Sequence, residues 1–358
     1  MKIKDLCSYA PKSRIKAGEA VENAKYLFFT SSADENKRYT DFQFDKEAII
    51  MGTGGNATLH YYNGKFSVST DCLVLFPNSK IKCKYLYYFF KSHMSVLEAG
   101  FKGAGLKHTN KKYIEEINVS KVPDLSTQEK IVSHLDTITE NIEKLNREVE
   151  LFDSLTKARF IEMFKSVNDK VTIGSLCDVT SGYSFKSKDI NSSNGIKLLQ
   201  IGNVFFDNVN WETLNYLPDG YNIKYSKFLL NEGDIVVALT RPIIQSLGNV
   251  KACVVRELDV PCLLNQRVGR ITPKKNIDAN LEFIYECLMM NDFTKYVESC
   301  CIGCSQPNIS VHDIENYLVP NVSFKQQERF VLFKKQVDKS RFDIKKSIIE
   351  LEREVVYD

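Results

Sequence analysis

The clearest hydrophobic pattern in the chain lies over residues 126–164, where apolar side chains recur at alternating spacings of four and three. Seven positions follow this spacing, namely Ile131, Leu135, Ile138, Ile142, Leu145, Val149 and Phe152. This is the a/d heptad seam of a coiled coil, and it predicts one long helix whose other faces are rich in acidic residues. At 1.5 Å per residue, a helix of about 38 residues spans roughly 57 Å, which is too long for an ordinary core helix.

The same segment indicates where this helix begins and ends. Ser126 or Thr127 can cap the N-terminus, and Glu129 lies three residues after Ser126, where it would complete a capping box. The apolar spacing can continue after the seventh position through Leu155, Phe160 and Met163.

A second seam of this kind closes the chain over residues 323–358. Its apolar members are Phe330, Val337, Ile344, Ile348, Leu351 and Val355. Lys334 and Arg341 interrupt it with charge, and a shift of 199 residues brings the two seams into register, with Gln128 on Gln327. Two apolar seams of matching period should pack on each other, as an antiparallel pair if a globular domain intervenes.

The similarity between the two halves extends beyond the helices. Ile3, Leu6 and Cys7 match Ile173, Leu176 and Cys177 at a shift of 170, and Gly103, Ile114 and Val119 match Gly303, Ile314 and Val319 at a shift of 200. A period near 200 with two copies indicates a duplicated domain, since solenoid repeats are far shorter. The chain therefore divides into a first domain (1–122), a central spacer helix (123–165), a second domain (166–322) and a C-terminal spacer helix (323–358).

Each domain mixes strands and short helices. Segment 48–51 predicts a strand, and strands at 58–62 and 66–70 flank Asn63-Gly64, a strong hairpin signal. Further strands are predicted at 196–201, 234–238 and 268–271, and helices at 85–97 and 281–290. The predicted fold class is α+β, with two similar α+β domains separated by two long antiparallel coiled-coil helices.

Composition and charge narrow the class of protein. The chain has 358 residues, 43% hydrophobic and 26% charged, which is typical of a globular protein. We expect a cytoplasmic protein with reduced thiols, because ten cysteines occur without a signal-like N-terminus or a membrane-spanning run. The net charge is only +3, but residues 1–122 carry 19 basic and 12 acidic residues, whereas residues 166–322 carry 14 and 17. The first domain could therefore present a basic face to a polyanion, and the second has no such excess.

Motifs for catalysis are weak. DNA adenine methyltransferases need an Asn/Asp/Ser-Pro-Pro-aromatic loop. Because no two of the nine prolines are adjacent, this sequence does not carry that chemistry. No phosphate-binding loop of the Walker type occurs. The segment Gly-Thr-Gly-Gly-Asn-Ala over 52–57 matches a relaxed dinucleotide pattern, but that pattern requires a following helix and a hairpin is predicted instead. We interpret it as a glycine-rich turn at the rim of a sheet, which could approach a phosphate backbone closely.

The cysteine pattern does not favour a metal site. Cys300-Cys301-Ile302-Gly303-Cys304 contains one C-x-x-C, and His312 is the nearby histidine. A structural zinc site needs four ligands, so small thiols packed beside a turn are the better interpretation, and no metal is expected.

The duplicated plan and two motifs together resemble the specificity (S) subunit of type I restriction-modification systems, over essentially the whole chain. The first motif is Val-Pro-Asp-Leu-Ser-Thr-Gln-Glu-Lys-Ile-Val over 122–132, running into the heptads and ending in Ala158-Arg159-Phe160. The second is Gly-Cys-Ser-Gln-Pro-Asn-Ile over 303–309, which resembles the end of a target recognition domain, and segment 171–183 resembles the start of one. The first domain departs from this pattern, with Ala10-Pro11 after Leu6-Cys7 and Lys107–Asn110 in place of the Gln-x-Asn.

The resemblance implies a non-catalytic subunit. Each target recognition domain would read one half of a bipartite sequence in double-stranded DNA, and the two helices would set the distance between the half-sites. The helices would dock two methyltransferase (M) subunits, which carry S-adenosylmethionine, and restriction (R) subunits that use ATP could join them. No cofactor is expected in this chain, and no membrane partner.

Base contacts need Arg or Lys for guanine and Asn or Gln for adenine, and they usually lie on loops over a rigid scaffold. In the first domain the candidates are His60, Tyr61, Lys65, Lys102, Lys107, His108 and Asn110. In the second they are Tyr183, Ser184, Lys186, Lys188, Thr240, Arg241, Gln266, Arg267, Ser305, Gln306 and Asn308. The lysines are better suited to phosphate than to bases.

Two other interpretations of the chain stay open at this point. A pure interaction scaffold would bind partners through its helices without contacting DNA. A dinucleotide-dependent enzyme would rest on segment 52–57 alone.

Overall fold

The computed structural model describes residues 1–191, 193–244, 248–301 and 307–357. It forms two compact units. The first unit contains residues 1–150 and 342–358, and the second contains residues 151–341. Each unit therefore includes part of both long helices.

The first unit is built on one sheet of six strands. The strands are β1 (Cys7–Tyr9), β2 (Tyr26–Phe29), β3 (Arg38–Tyr39), β4 (Phe44–Gly52), β5 (Leu59–Val68) and β6 (Cys72–Pro77). Their order is β1-β6-β4-β5-β2-β3, and neighbours are antiparallel except β2 and β5. β4 and β5 are the longest pair, with Ala48 opposite Tyr62 and Met51 opposite Leu59.

Helices α1 (Cys83–Ser92), α2 (Met94–Glu98) and α3 (Lys111–Glu116) cover one face of this sheet. Alternate strand residues such as Ile49 and Leu75 pack with Leu86 and Phe90 of α1 and with Ile114 of α3. The other face has its own core around Phe29, Ile50 and Phe66. This alternation follows from the two-residue period of a strand whose faces are both covered.

The second unit has more and shorter strands. In chain order its elements are β7 (Lys170–Thr172), α5 (Ile173–Leu176), β8 (Cys177–Ser181), β9 (Ile196–Leu199), β10 (Tyr216–Leu217), α6 (Tyr221–Lys224), β11 (Ile235–Ala238), β12 (Ile243–Ile244), β13 (Asn249–Val250), β14 (Ala252–Val254), β15 (Cys262–Leu264), β16 (Val268–Pro273), α7 (Leu281–Met289), α8 (Asn291–Cys300), α9 (Val311–Asn316) and β17 (Leu318–Pro320). The main sheet has the order β14-β11-β16-β8, and a second sheet has the order β10-β9-β15. The largest core cluster lies between the main sheet and helices α7 to α9.

The two long helices are α4 (Leu125–Phe164) and α10 (Phe324–Tyr357). In the second unit, Phe160 of α4 lies 5.3 Å from Phe330 of α10, and Asp153 lies 2.6 Å from Arg341. Because residue numbers rise along one helix as they fall along the other, the segments run antiparallel. In the first unit, Leu135 and Ile138 of α4 pack against the C-terminal part of α10.

The heptad seams predicted from the sequence are confirmed. All twelve seam positions from Ile131 to Phe152 and from Val337 to Val355 are buried or half-buried, whereas the surrounding helix positions are mostly exposed. The predicted α+β class with two long antiparallel helices is therefore confirmed as well.

Hydrogen bonds also show the duplication. Ile3 donates its backbone N–H to Ile117 at 3.0 Å, and Ile173 donates to Tyr317 at 2.9 Å. In both units this links the opening segment to the strand-like segment that leads into a long helix. Short helices α3 and α9 begin in the same way, because the side chains of Asn110 and Ser310 cap them.

One prediction of local structure is wrong, and two predicted elements have different bounds. Asn63 and Gly64 do not form a turn, since β5 runs straight through them opposite Glu47 and Lys46, and the turn lies at 53–58. The helix predicted at 85–97 is two helices that meet at His93. The strand predicted at 196–201 ends at Leu199.

The predicted ends of the central helix also need correction. Asp124, not Ser126 or Thr127, caps α4, because its carboxylate accepts the Thr127 N–H at 2.9 Å. Leu155 is exposed, and the half-buried Thr156 takes its place on the seam before Phe160.

Candidate nucleic-acid interface

A rim of loop residues, exposed over 102–108 and mostly half-buried over 53–57, lies at the end of the β4–β5 pair in the first unit. We call it the first rim and define it as the turn 53–57 and the loop 102–108. The loop is closed by reciprocal backbone hydrogen bonds of 3.0 Å between Lys102 and His108. It is tied to the turn because Gly55 donates its N–H to Lys107 at 2.8 Å and Thr109 donates to Thr53 at 3.0 Å. The loop thus presents the predicted residues Lys102, Lys107 and His108 together on a fixed base.

The second unit has a rim of the same construction, at the end of β11 and the start of β16. We call it the second rim and define it as residues 239–241, 266–267 and 307–309. Arg241 donates its N–H to Pro307 at 2.8 Å, and Ile309 donates to Leu239 at 2.9 Å. Leu239 in turn donates to the carbonyl of Arg267 at 2.9 Å. These bonds bring the predicted residues Thr240, Arg241, Gln266, Arg267 and Asn308 to one edge.

The two rims correspond residue by residue. Gly55 and Arg241 each donate to the loop that precedes α3 or α9, and both have positive φ, +83° and +47°. A glycine adopts this conformation without cost, whereas an arginine does not. Non-glycine residues held in this region concentrate at functional sites, so Arg241 is the strongest single indication of a site on the second rim.

The charged and amide side chains of the rims are available to a ligand. Within the part of the chain that the structure describes, Lys102, Lys107, Arg241, Arg267 and Gln266 are exposed and form no side-chain hydrogen bond or ion pair. Arginine and lysine can bind phosphates or guanine, and glutamine can bind adenine. Together with Asn308, the second rim therefore carries the donors and acceptors for both purine types.

A cluster of aromatic rings adjoins the second rim. Gln266 donates its N–H to the carbonyl of Tyr183 at 3.1 Å, and the Tyr183 ring lies 4.7 Å from Tyr225. Tyr183 therefore packs mainly within this cluster, although it is 39% exposed. The loop that follows it exposes Ser184, Lys186 and Lys188, which form no polar side-chain contact within the described residues.

Lys224 and Lys227, which are not among the residues predicted from the sequence, lie beside these rings. Lys224 places its Nζ 5.2 Å from the centre of the Tyr225 ring, and Lys227 is exposed. The alternation of tyrosine and lysine over 221–227 was the signal that could have revealed them.

The prediction that His60, Tyr61 and Lys65 of the first domain lie on a loop is wrong. His60, Tyr61 and Lys65 belong to β5. His60 is buried, with its Nδ1 2.9 Å from Glu35, and Tyr61 donates to Glu47 at 2.6 Å. Lys65 is exposed, but it lies six residues along the strand from Leu59, about 20 Å from the first rim.

The remaining predicted residues either form a hydrogen bond within the protein already or lie outside the described residues. Asn110 uses its side-chain oxygen to accept the Tyr113 N–H at 3.0 Å, so only its amide N–H groups remain free for a ligand. Ser305 and Gln306 lie outside the described residues.

The glycine-rich segment is a turn, as interpreted from the sequence. The strand β5 follows it instead of a helix, so the dinucleotide pattern lacks the helix N-terminus that binds pyrophosphate. A Cβ on Gly54 would lie 3.2 Å from the His108 ring, so the glycine allows the loop to pack on the turn.

Three of the buried cysteines are held in the thiol form by their surroundings. Burial raises the pKa of Cys7, Cys177 and Cys262 to about 12, so these thiols stay protonated at neutral pH. Among the described residues, no three His, Cys, Asp or Glu side chains are grouped as metal ligands, and Cys304 lies outside those residues. None of the helices described here is both long enough and apolar enough to cross a membrane.

Comparison with known proteins assigns the family. A family described as "Type I restriction modification DNA specificity domain" matches residues 1–151 and 166–353. The MjaVIII type I specificity subunit of Methanocaldococcus jannaschii is 30% identical over 314 residues, which are 82% of this chain and 72% of that protein. The chain therefore belongs to the family of type I restriction-modification specificity subunits, the non-catalytic DNA-recognition subunits of these systems.

Other relatives match over smaller parts or at the level of the fold. The EcoAI specificity subunit of Escherichia coli is 30% identical over 161 residues, 44% of this chain and 26% of that protein. The S subunit of M. genitalium has a similar fold, with a TM-score of 0.60 at 17% identity over 99% of this chain and 93% of that chain. A chain from a structure of complex assembly and conformational transition in the type I R-M system has a TM-score of 0.58 at 14% identity.

Proposed function

We propose that the two rims each read one half of a bipartite DNA sequence. The observation that carries this proposal is the matched pair of backbone hydrogen bonds, Gly55 to Lys107 and Arg241 to Pro307, under exposed basic and amide side chains. One construction repeated in two units, with different side chains on each copy, suits two different half-sites. Direct readout in the major groove would use Arg241, Arg267 and Gln266 on the second rim.

The first rim offers lysines and a histidine. Lys102, Lys107 and His108 supply positive charge to the phosphate backbone, while the exposed glycines of the loop let the main chain approach it. The two rims would therefore differ in character, with more phosphate contact at the first and more base contact at the second.

The long helices would act as the spacer between the half-sites. α4 is continuous over 40 residues, which corresponds to about 60 Å. One turn of DNA rises about 34 Å, so half-sites about a turn apart are compatible with a helix of this length.

The exposed faces of the helices would dock two methyltransferase subunits, and a restriction subunit could join them. Leu151 of α4 and Leu332, Phe342 and Ile349 of α10 are large apolar residues that are at least half exposed. Phe342 and Ile349 are seven residues apart and so share one face of the helix. Exposed apolar residues grouped in this way are typical of protein interfaces. S-adenosylmethionine and ATP would be bound by those partners.

Footprinting of the complex reconstituted with its methyltransferase tests this function. The double variant Arg241→Ala, Arg267→Ala should lose protection of one half-site. Lys275→Ala is the matched control, because Lys275 is exposed beyond the opposite end of β16. If the wild-type complex shows no sequence-specific footprint, the scaffold interpretation replaces this one.

A further inference from the structure

In both units, a short helix from the α+β part docks on the first turns of a long helix. In the first unit α1 docks on α4, and in the second α7 docks on α10. Two buried glutamines align these contacts position by position. Gln128 accepts the N–H of Lys82 at 2.7 Å, and Gln327 accepts the N–H of Asn280 at 2.9 Å. Counting from these bonds pairs each residue of one contact with its counterpart in the other.

The outer ion pair of this contact has opposite polarity in the two units. Lys84 of α1 lies 2.7 Å from Asp136 of α4. At the corresponding positions, Glu282 of α7 lies 2.9 Å from Lys335 of α10. The α+β part therefore contributes the positive member of this ion pair in the first unit and the negative member in the second.

The inner pair differs in its chemistry as well. In the first unit, Tyr88 and Leu135 pack in one apolar cluster, each about 95% buried. At the corresponding positions of the second unit, Glu286 and Lys334 form an ion pair of 3.3 Å, with only 6% of the Glu286 side chain exposed. Lys334 is also 2.9 Å from Asp338 of its own helix. Lys334 is one of the two charged residues that interrupt the second heptad seam.

Docking of a short helix on the wrong long helix would therefore be unfavourable for two reasons. Placing α1 on the start of α10 would bring Lys84 against Lys335, and placing α7 on the start of α4 would bring Glu282 against Asp136. The second mismatch would also bury the Glu286 carboxylate against Leu135 without a partner. Losing one member of a buried ion pair is far more costly than losing a surface pair.

We propose that eight residues of the two contacts form a docking address. Four lie on the short helices (Lys84, Tyr88, Glu282 and Glu286) and four on the long helices (Leu135, Asp136, Lys334 and Lys335). Together they match each α+β part to the long helix that follows it and reject the other helix. The address fixes which α+β part sits on which helix, and hence the order in which two different surfaces are presented. Specific interfaces commonly combine attraction to the right partner with repulsion of the wrong one. The proposal concerns assembly of the chain and is independent of what the rims bind.

Exchanging residues between the two contacts tests this address with chains of identical composition. The helix-side exchange is Leu135→Lys, Asp136→Lys, Lys334→Leu and Lys335→Asp. The part-side exchange is Lys84→Glu, Tyr88→Glu, Glu282→Lys and Glu286→Tyr. We expect either exchange alone to lower the urea midpoint of the full chain or to abolish its soluble expression. The chain that carries both exchanges should regain most of the wild-type midpoint.

A matched control uses Glu140→Lys with Lys339→Glu, because these exposed residues occupy corresponding positions outside the contact. This exchange should leave the midpoint unchanged. A single exchange that unfolds like the wild type would overturn the proposal. So would a combined chain that is no more stable, or no more soluble, than the chains with one exchange.

Discussion

Gln128 and Gln327 perform the same task in the two units. Each is almost completely buried at the start of a long helix, and each accepts the backbone N–H at which a short helix begins. Each also donates its amide N–H to a carbonyl just before its own helix, Pro123 at 2.8 Å and Val322 at 3.1 Å. The two residues join the α+β parts to the long helices.

Replacing either glutamine should destabilise the unit that contains it. Gln327→Ala removes the hydrogen-bond partner of the Asn280 N–H and of the Val322 carbonyl, which belong to half-buried residues, and each group left unsatisfied inside the protein costs about 1–3 kcal/mol. We expect a loss of about 3 kcal/mol in the free energy of unfolding, measured by urea titration. Gln336→Ala on the exposed face of the same helix should change it by less than about 0.5 kcal/mol. Equal effects of the two substitutions would mean that the buried hydrogen bonds do not hold the unit together.

Arg241 allows stability and binding to be separated. Arg241→Gly should raise the free energy of unfolding by about 1 kcal/mol, because glycine tolerates the positive φ that arginine does not. The same variant should weaken DNA binding by the complex, since the guanidinium is lost. Arg241→Ala keeps the unfavourable backbone conformation, so it should weaken binding without the gain in stability. Wild-type affinity in both variants would remove Arg241 from the interface.

The salt dependence of DNA binding should report on the first rim. Lys107→Ala should reduce the slope of log K against log salt by about one, if this lysine neutralises one phosphate. Lys65→Ala provides a lysine of the same unit that lies about 20 Å along β5 from the rim. We expect its slope to match the wild type, as measured by titrations from low to high salt. A larger effect of Lys65 than of Lys107 would shift the interface away from the rim.

The buried carboxyl of Glu286 should make stability depend on pH. Burial raises its pKa to about 7, although Lys334 lies 3.3 Å away, whereas an unfolded chain has the ordinary value near 4.5. The folded state therefore holds more protons between these values, and its stability falls by up to about 3 kcal/mol as pH rises from about 5 to above 7. Glu286→Gln should flatten this part of the profile in urea unfolding at pH 5 to 8. Parallel profiles for the variant and the wild type would show that Glu286 does not titrate in this range.

The sequence revealed the helices better than the rims. The seams are visible because a helix repeats its contacts every three or four residues, so Leu135 and Ile138 carry their own pattern. The turn predicted at Asn63-Gly64 is wrong, because eight residue pairs between β4 and β5 outweigh a local turn preference. The rims depend on hydrogen bonds between distant segments, such as Arg241 to Pro307, and on a backbone angle that no residue pattern encodes.

If the two equivalent rims read two different half-sites, substitutions on each rim should alter the recognition of a different half of the target. Mapping methylated bases with the complete complex tests it most directly, using Arg241→Ala with Arg267→Ala in one chain and Lys107→Ala with His108→Ala in another. We expect each variant to relax or lose selection at one half of the target, and the two halves to differ. Relaxation of the same half by both variants, or an unchanged target in both, would contradict it.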